Sequence, residues 1–370
     1  MDKFIDQLDG VFAFIIHDAE KGETYVGRDP IGVRPIFIGQ DSNGNYGFAS
    51  EAKALVSVCS PSTIKPFPPG HYWESKTEVY TKWYNPTFNY EIADDSHYDE
   101  SKDLHTTAEL LYQSTIKRMM SDRPVGTFLS GGLDSSIVAA FLQKIRKDNG
   151  EPSINTYSIG LKGSPDLAYA KMVANHIGSN HHSVEITRED CLNAIEDVVY
   201  ATETFDVTTI RASTPMYLLS RYIRNNSEDV VIYSGEGSDE VTQGYLYFKK
   251  QPSPQEGAAE SKRLMEQLYE FDVLRVDRTT AAHGLEVREP FLDKAFMQHY
   301  FNLPADIKCP RHGIEKYHLR KAIDIAFPNI LPEEIIWRQK EAFSDGVSSF
   351  KEKSWVDELK DLSDKAIPDE

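Results

Sequence analysis

Apolar residues run without interruption over positions 11–16, and a turn with Gly22 and Glu23 separates them from Thr24, Tyr25 and Val26. That spacing predicts a hairpin whose first strand is buried on both faces. Residues 27–38 add a turn and another strand, and 44–50 a further turn-and-strand unit. The first ~80 residues are therefore β-rich by strand and turn chemistry, and the polar, acidic stretch 91–100 reads as a linker. Beyond Ser101 the period changes. A helical pattern over 104–119 leads into a strand at Val125, and further strands at 154–159, 183–186 and 230–233 alternate with helices at 167–177, 190–200 and 216–223. This alternation predicts an α/β domain with a doubly wound parallel sheet, in which the loops after Leu129, Ile159 and Tyr233 converge beyond the carboxyl ends of their strands. After Lys250 the pattern is helical, clearest over 261–271 and 316–326, and the charged segment 351–370 is a surface helix or a frayed tail.

Length and charge narrow the classes. A chain of 370 residues is too long for one ordinary core, so two domains are expected, at 1–95 and 96–370. The 58 acidic residues outnumber the 40 basic ones, and the net charge of −18 argues against nucleic acid as a partner. Cys59, Cys191 and Cys309 are far apart and form no C-x-x-C pair, which excludes a disulfide framework or zinc site and fits a reducing cytoplasm. The N-terminus has no signal-peptide core, and no apolar run approaches the ~20 residues that span a bilayer, so no membrane partner is expected.

The chemistry concentrates at Val125-Gly126-Thr127-Phe128-Leu129-Ser130-Gly131-Gly132-Leu133-Asp134-Ser135-Ser136, a buried strand, a glycine turn and a helix start in one run. Paired glycines allow close backbone approach, Ser135 and Ser136 are suited to cap a helix over 137–143, and amides there point at an anion, so the run reads as a phosphate-binding loop. It has neither the Walker A spacing nor a dinucleotide fingerprint, which disfavours kinase and NAD chemistry. Asp134 is placed to hold Mg²⁺ beside the phosphates.

The hexapeptide from Ser130 to Ser135 resembles the pyrophosphate loop of the N-type ATP pyrophosphatases, among them asparagine, GMP, NAD, argininosuccinate and β-lactam synthetases, which adenylate a substrate oxygen. Four further segments narrow the resemblance: Gly163-Ser164-Pro165-Asp166-Leu167, Asp206-Val207-Thr208-Thr209-Ile210-Arg211-Ala212-Ser213, Ser234-Gly235-Glu236-Gly237-Ser238-Asp239-Glu240, and Trp337-Arg338-Gln339-Lys340-Glu341-Ala342-Phe343-Ser344-Asp345-Gly346. Together they resemble the glutamine-hydrolysing asparagine synthetases. Leu8 to Phe14, Gly27-Arg28-Asp29, Gly32-Val33-Arg34-Pro35 and Ser50-Glu51-Ala52-Lys53 look like the later half of that family's class II, Ntn-type amidotransferase domain. The resemblance implies an α/β protein with a β-rich amidotransferase remnant, followed by a PP-loop, adenine nucleotide alpha hydrolase-like domain with C-terminal helices. Implied substrates are ATP, aspartate and ammonia, with glutamine as the family's nitrogen donor and β-aspartyl-AMP as intermediate.

By the same resemblance Ser130, Gly131, Gly132, Asp134 and Ser135 hold the phosphates, Leu129 and Ile159 contact the adenosine, and Ser234 and Gly235 complete the nucleotide pocket. Glu236, Asp239 and Glu240 follow a buried strand rather than lining an open surface, and carboxylates facing a triphosphate repel it unless a cation intervenes, so Mg²⁺ bridging Asp134 and Asp239 is the economical reading. Glu236 resembles the residue needed to form the acyl adenylate, and Lys340 the lysine that steadies the phosphates. Thr208, Thr209 and Arg211 are read as lying before a helix, where hydroxyls, amides and a guanidinium can clamp a carboxylate, and they look like the aspartate site. As an isolated pattern, the last group reads sooner as a helix cap with a surface arginine.

One departure stands out. The family's glutaminase nucleophile is a cysteine exposed at the mature N-terminus. Here the second residue is Asp2 and Cys59 lies deep in the β-rich region, so no nucleophile is assigned. A fragment of a longer product is the expectation, over a partner chain that supplies the rest or a chain that uses free ammonia alone. The other readings are a β-lactam-synthetase-like adenylating enzyme and a catalytically silent nucleotide-binding module, and a homodimer is left open.

Overall fold

The computed structural model describes residues 2–94 and 98–339. The chain divides into two compact units, Met1–Thr87 with Arg263–Asp277, and Phe88–Lys262 with Arg278–Glu370.

The first unit is antiparallel. Strands β1 (Ala13–Asp18), β2 (Glu23–Arg28), β3 (Phe37–Gln40), β4 (Tyr46–Ala49), β5 (Lys65–Pro66), β6 (His71–Glu74) and β7 (Val79–Lys82) form a four-stranded sheet in the order β1-β2-β6-β7 and a three-stranded one in the order β4-β3-β5. Val26, Ile36, Phe67 and Trp73 make its core, with Tyr46, Phe48 and Tyr80 packed against them. The hairpin is present, with Asp18 opposite Glu23, but its first strand is not buried on both faces. Ile15 is 49% and Ile16 40% exposed, because β1 is an edge strand whose one strand neighbour is β2. An apolar run on both faces of a strand means burial on both faces only where the strand lies inside a sheet.

Buried polar groups fix the turn that follows β2. Asp29 Oδ1 accepts the N–H groups of Ile31, Gly32 and Val33, and its Oδ2 those of Arg34 and Phe12. The Arg28 guanidinium donates to the carbonyls of Gly32, Arg34 and Phe67. Gly32 has φ +76°, and a methyl group on it would fall 2.9 Å from that guanidinium. Cys59 is core: its Sγ would lie 2.8 Å from a Cβ on Gly47.

The second unit is α/β around a parallel sheet. Strands β8 (Val125–Phe128), β9 (Asn155–Leu161), β10 (Asn180–Ile186), β11 (Val231–Tyr233) and β12 (Glu286–Arg288) lie in the order β10-β9-β8-β11-β12, every pair parallel. β12 was not foreseen, since three residues inside a helical region give no run to read. The order places β8, the first strand in sequence, between β9 and β11, so the chain reverses its direction of winding there and a crevice opens beyond the ends of β8 and β11. Thr127 of β8 donates its hydroxyl to the Tyr233 carbonyl of β11 at 3.1 Å, which ties the two together at that edge.

Helix boundaries differ from expectation in instructive ways. The helix after the glycine turn is Leu133–Asp148 and its N-cap is Gly132 with no side-chain cap, so Ser135 and Ser136 lie inside its first turn and do not cap it. Val207–Asn226 is one helix with Pro215 inside it, where only 216–223 was expected. The expected helix over 190–200 is two, Arg188–Asn193 and Ile195–Thr202. Part of the acidic linker is bonded into this unit, as Ala93 N–H donates to Asp306 and Ala305 N–H to the Glu91 carbonyl. Among the described residues no helix is long and apolar enough to cross a membrane.

Candidate active site

The loop after β8 closes on itself first. Gly131 takes φ +78°, and a Cβ on it would lie 2.5 Å from the Ala170 amide nitrogen, so only glycine lets this turn sit against the helix Pro165–Ile177. Ser135 Oγ accepts the Ser130 N–H at 3.2 Å and lies 3.0 Å from Ser130 Oγ, so its task is to shape the loop rather than to cap the helix. Leu129, at the end of the strand, is buried, and its N–H bonds the Tyr157 carbonyl of β9.

The turn after β11 comes directly against this loop. Ser234 is held by its N–H to the Arg288 carbonyl of β12, and a Cβ on Gly235 would fall 2.7 Å from the Ser135 amide nitrogen. Gly237, at φ 82°, starts the short helix Ser238–Thr242. Asp134 and Asp239 thereby stand side by side: Ser238 Oγ donates to Asp134 Oδ1 at 2.8 Å, and Lys316 Nζ reaches Asp134 Oδ2 and Asp239 Oδ1 at 2.6 Å each. Behind them, Glu315 is bound by Arg320 at 2.6 Å and Lys249 at 3.1 Å. Burial pulls the Arg320 guanidinium below its usual value, opposed by the negative charges of Glu315, Asp134 and Asp239.

The remaining expected residues fall in three groups. Ile159 is buried in β9 and Glu236 is half-buried in the turn after β11. Thr208, Thr209 and Arg211 sit on a separate element, and they lie within the first turns of the helix Val207–Asn226 instead of before it, because Asp206 is its N-cap. The Asp206 carboxylate takes the Thr209 N–H at 2.7 Å and its hydroxyl at 2.8 Å. Thr208 is exposed, and Arg211 Nε is buried with no hydrogen-bond partner among the described residues. Lys340 lies outside the described residues, as does the rest of its motif beyond Gln339.

Three contributors escaped sequence reading. Lys316 follows an acidic residue ahead of a helix, a pattern shared with any solvated surface. Arg338 donates to the Gly131 carbonyl at 3.1 Å, pairs with Asp166 at 3.5 Å and lies 3.8 Å over the Tyr169 ring, which pins the strand-to-helix loop from the far end of the chain. Asp166 and Arg338 each stand in a recognised segment, but only the fold shows that those segments meet.

The donor set suits a hard divalent cation in company with phosphate. Asp134 and Asp239 are partly exposed, at 21% and 20%, and no group of three or more ligating side chains is present among the described residues. Mg²⁺ is commonly held in this way, by one or two carboxylates with phosphate oxygens and water in the other positions.

Comparison with known proteins agrees in extent. The family described as asparagine synthase matches residues 106–266 and 255–370, and the glutamine amidotransferase domain matches residues 2–83. The glutamine-hydrolysing asparagine synthetases of Gallus gallus and Mus musculus are each 45% identical to this chain, over 100% of it and 69% of their own lengths. Among solved structures, NMN synthetase from Francisella tularensis superposes with a TM-score of 0.34 at 11% identity, over 73% of this chain and 86% of that one. The likeness to the curated relatives runs through the loop after β8, the turn after β11 and the β-rich first unit alike, and on that extent the chain belongs to the family of glutamine-hydrolysing asparagine synthetases.

Proposed function

We propose that this chain is an asparagine synthetase, a ligase that adenylates aspartate and forms the side-chain amide. The observation that carries the reading is the meeting of the Ser130–Ser135 loop with the Ser234–Asp239 turn at the reversal point of the sheet, in a chain 45% identical along its whole length to such enzymes. Neither the β-lactam-synthetase-like reading nor the silent module is favoured by that likeness.

In the first step a β-carboxylate oxygen of aspartate attacks the α-phosphorus of ATP, the bond to the bridging oxygen breaks, and pyrophosphate leaves. Ammonia then attacks the acyl carbon of β-aspartyl-AMP, AMP departs with the former carboxylate oxygen, and a proton leaves the nitrogen. The chain's part is alignment and charge. Two anions must approach within bonding distance, so Gly131, Gly132 and the start of the helix Leu133–Asp148 cradle the phosphates with Ser130 and Ser135. Leu129, Ile159, Ser234 and Gly235 frame the nucleotide. Asp134 and Asp239 would hold Mg²⁺, which draws charge from the leaving pyrophosphate. Thr208, Thr209 and Arg211 bind aspartate, the unpartnered Nε of Arg211 being a donor in want of an anion. Glu236 orients the acyl phosphate and Lys340 steadies the phosphates.

The finer architecture belongs to the same reading: an Ntn-type amidotransferase portion over 1–95 and a doubly wound PP-loop synthetase over 96–370. A cytoplasmic site of action fits three free thiols. Pyrophosphate release by the purified chain with Mg-ATP and ammonium tests the reading. Release that requires aspartate is the expected outcome, and release indifferent to aspartate would sink it.

A further inference from the structure

The lysine beneath the two aspartates has no place in the reaction just described. Lys316 is 2% exposed, whereas the carboxylates it joins are partly exposed, Asp134 at 21% and Asp239 at 20%. Its ammonium donates to Asp134 Oδ2 at 2.6 Å and to Ser238 Oγ at 3.2 Å, and forms an ion pair with Asp239 Oδ1 at 2.6 Å. The position is enforced from behind. Lys316 has a backbone φ of 56°, in the left-handed region, and a Cβ on Gly244 would fall 2.0 Å from both Lys316 Cε and Asp239 Oδ1. The adjacent Glu315 is neutralised by Arg320 and Lys249, so the charge of Lys316 is committed to the aspartates.

Charge accounting gives this geometry a consequence. Two carboxylates side by side attract a divalent cation strongly, but with an ammonium fixed beneath them the pair carries one net negative charge. Mg²⁺ gives up its water reluctantly, so a singly charged pair is a weak site until phosphate oxygens join it. We propose that Lys316 is a positioning residue that holds Asp134 and Asp239 together while cancelling enough of their charge that a metal would be retained there only with polyphosphate. Metal and nucleotide then enter as one complex. The proposal rests on the reading of this site as an ATP-adenylating one.

Mn²⁺ binding to the full chain, followed by electron paramagnetic resonance, separates the two. The wild-type chain should bind the Mn–ATP complex and hold free Mn²⁺ poorly, whereas Lys316→Met should take up free Mn²⁺ at least about tenfold more tightly than wild type. Adding Asp239→Asn to that variant should return free-metal affinity towards the wild-type level. Equal free-metal affinity in wild type and Lys316→Met overturns the proposal. Should Lys316→Met fail to fold, the wild-type arm decides: free Mn²⁺ held as tightly as Mn–ATP overturns it, and free Mn²⁺ held far more weakly supports it. Failure of the wild-type chain to bind Mn–ATP at all would instead defeat the reading of the site on which the proposal stands.

Discussion

Two aspartates show how little a residue's type says about its task. Asp134 and Asp29 are both short carboxylates beside glycines, yet one faces an open crevice and the other closes a buried turn by accepting five backbone N–H groups. Asp29→Ala would leave those amides in a dry interior with no acceptor, a loss of about 3–5 kcal/mol. Urea denaturation followed by fluorescence of the first unit should therefore show a much lower midpoint. Asp29→Asn, which keeps one acceptor oxygen, should lie between that variant and wild type. A midpoint for Asp29→Ala within error of wild type would show the turn to be held by other means. Asp134 was legible because the motif around it has a geometry of its own. Lys316 was not, because its meaning comes entirely from two side chains 182 and 77 residues earlier in the chain, Asp134 and Asp239.

At the scale of elements, what could be read was what repeats or punctuates. Strands β8, β9 and β11 are marked by apolar residues ended by turn residues and β10 only by the alternation of Val184 and Ile186, whereas β12 has three residues and exists because β11 offers it an edge. The pattern predicts a helix only over 216–223, whereas Val207–Asn226 is continuous: Pro215 inside it removes one backbone donor, a loss the helix tolerates with its buried face intact. Its start has a testable function. Asp206 caps it through Thr209, so Asp206→Ala should cost about 1 kcal/mol of stability and loosen the first turn. If that turn holds aspartate, the aspartate KM should rise several-fold with the ATP KM unchanged. Parallel changes in both constants would detach Thr208, Thr209 and Arg211 from the aspartate site.

The second unit as a whole carries a histidine-based sensitivity to acid. Burial pushes His318 down to about 3 and His181 to about 4, and it lowers His299 and His283 as well. The Thr107 hydroxyl joins His299 and His318 at 2.8 and 2.9 Å, so protonating either ring disturbs a shared buried link. A folded-state value below the unfolded one means that the unfolded chain binds the proton first. The stability is thus fully present above pH ~6.5 and declines as the pH falls towards the folded values, by about 1.4 kcal/mol per pH unit for buried His318 alone. Thermal unfolding should show a falling midpoint between pH 6.5 and 4.5, and His318→Gln should flatten that slope. An unchanged slope in the variant would remove His318 as a cause.

The same sheet order that brings β8 beside β11 sets a timetable for synthesis. Thr127 meets Tyr233 across 106 residues, and Asp134 meets Lys316 across 182. At ~5–20 residues per second, a growing chain carries its phosphate loop for about 10–40 s before the counter-charge for Asp134 has been made. During that interval β8 and β9 can pair, but the crevice between β8 and β11 does not yet have its second wall. The phosphate loop is therefore made early and its counter-charge last, and a ribosome that stalls before Lys316 leaves a loop shaped for phosphate with its acidic charge unbalanced.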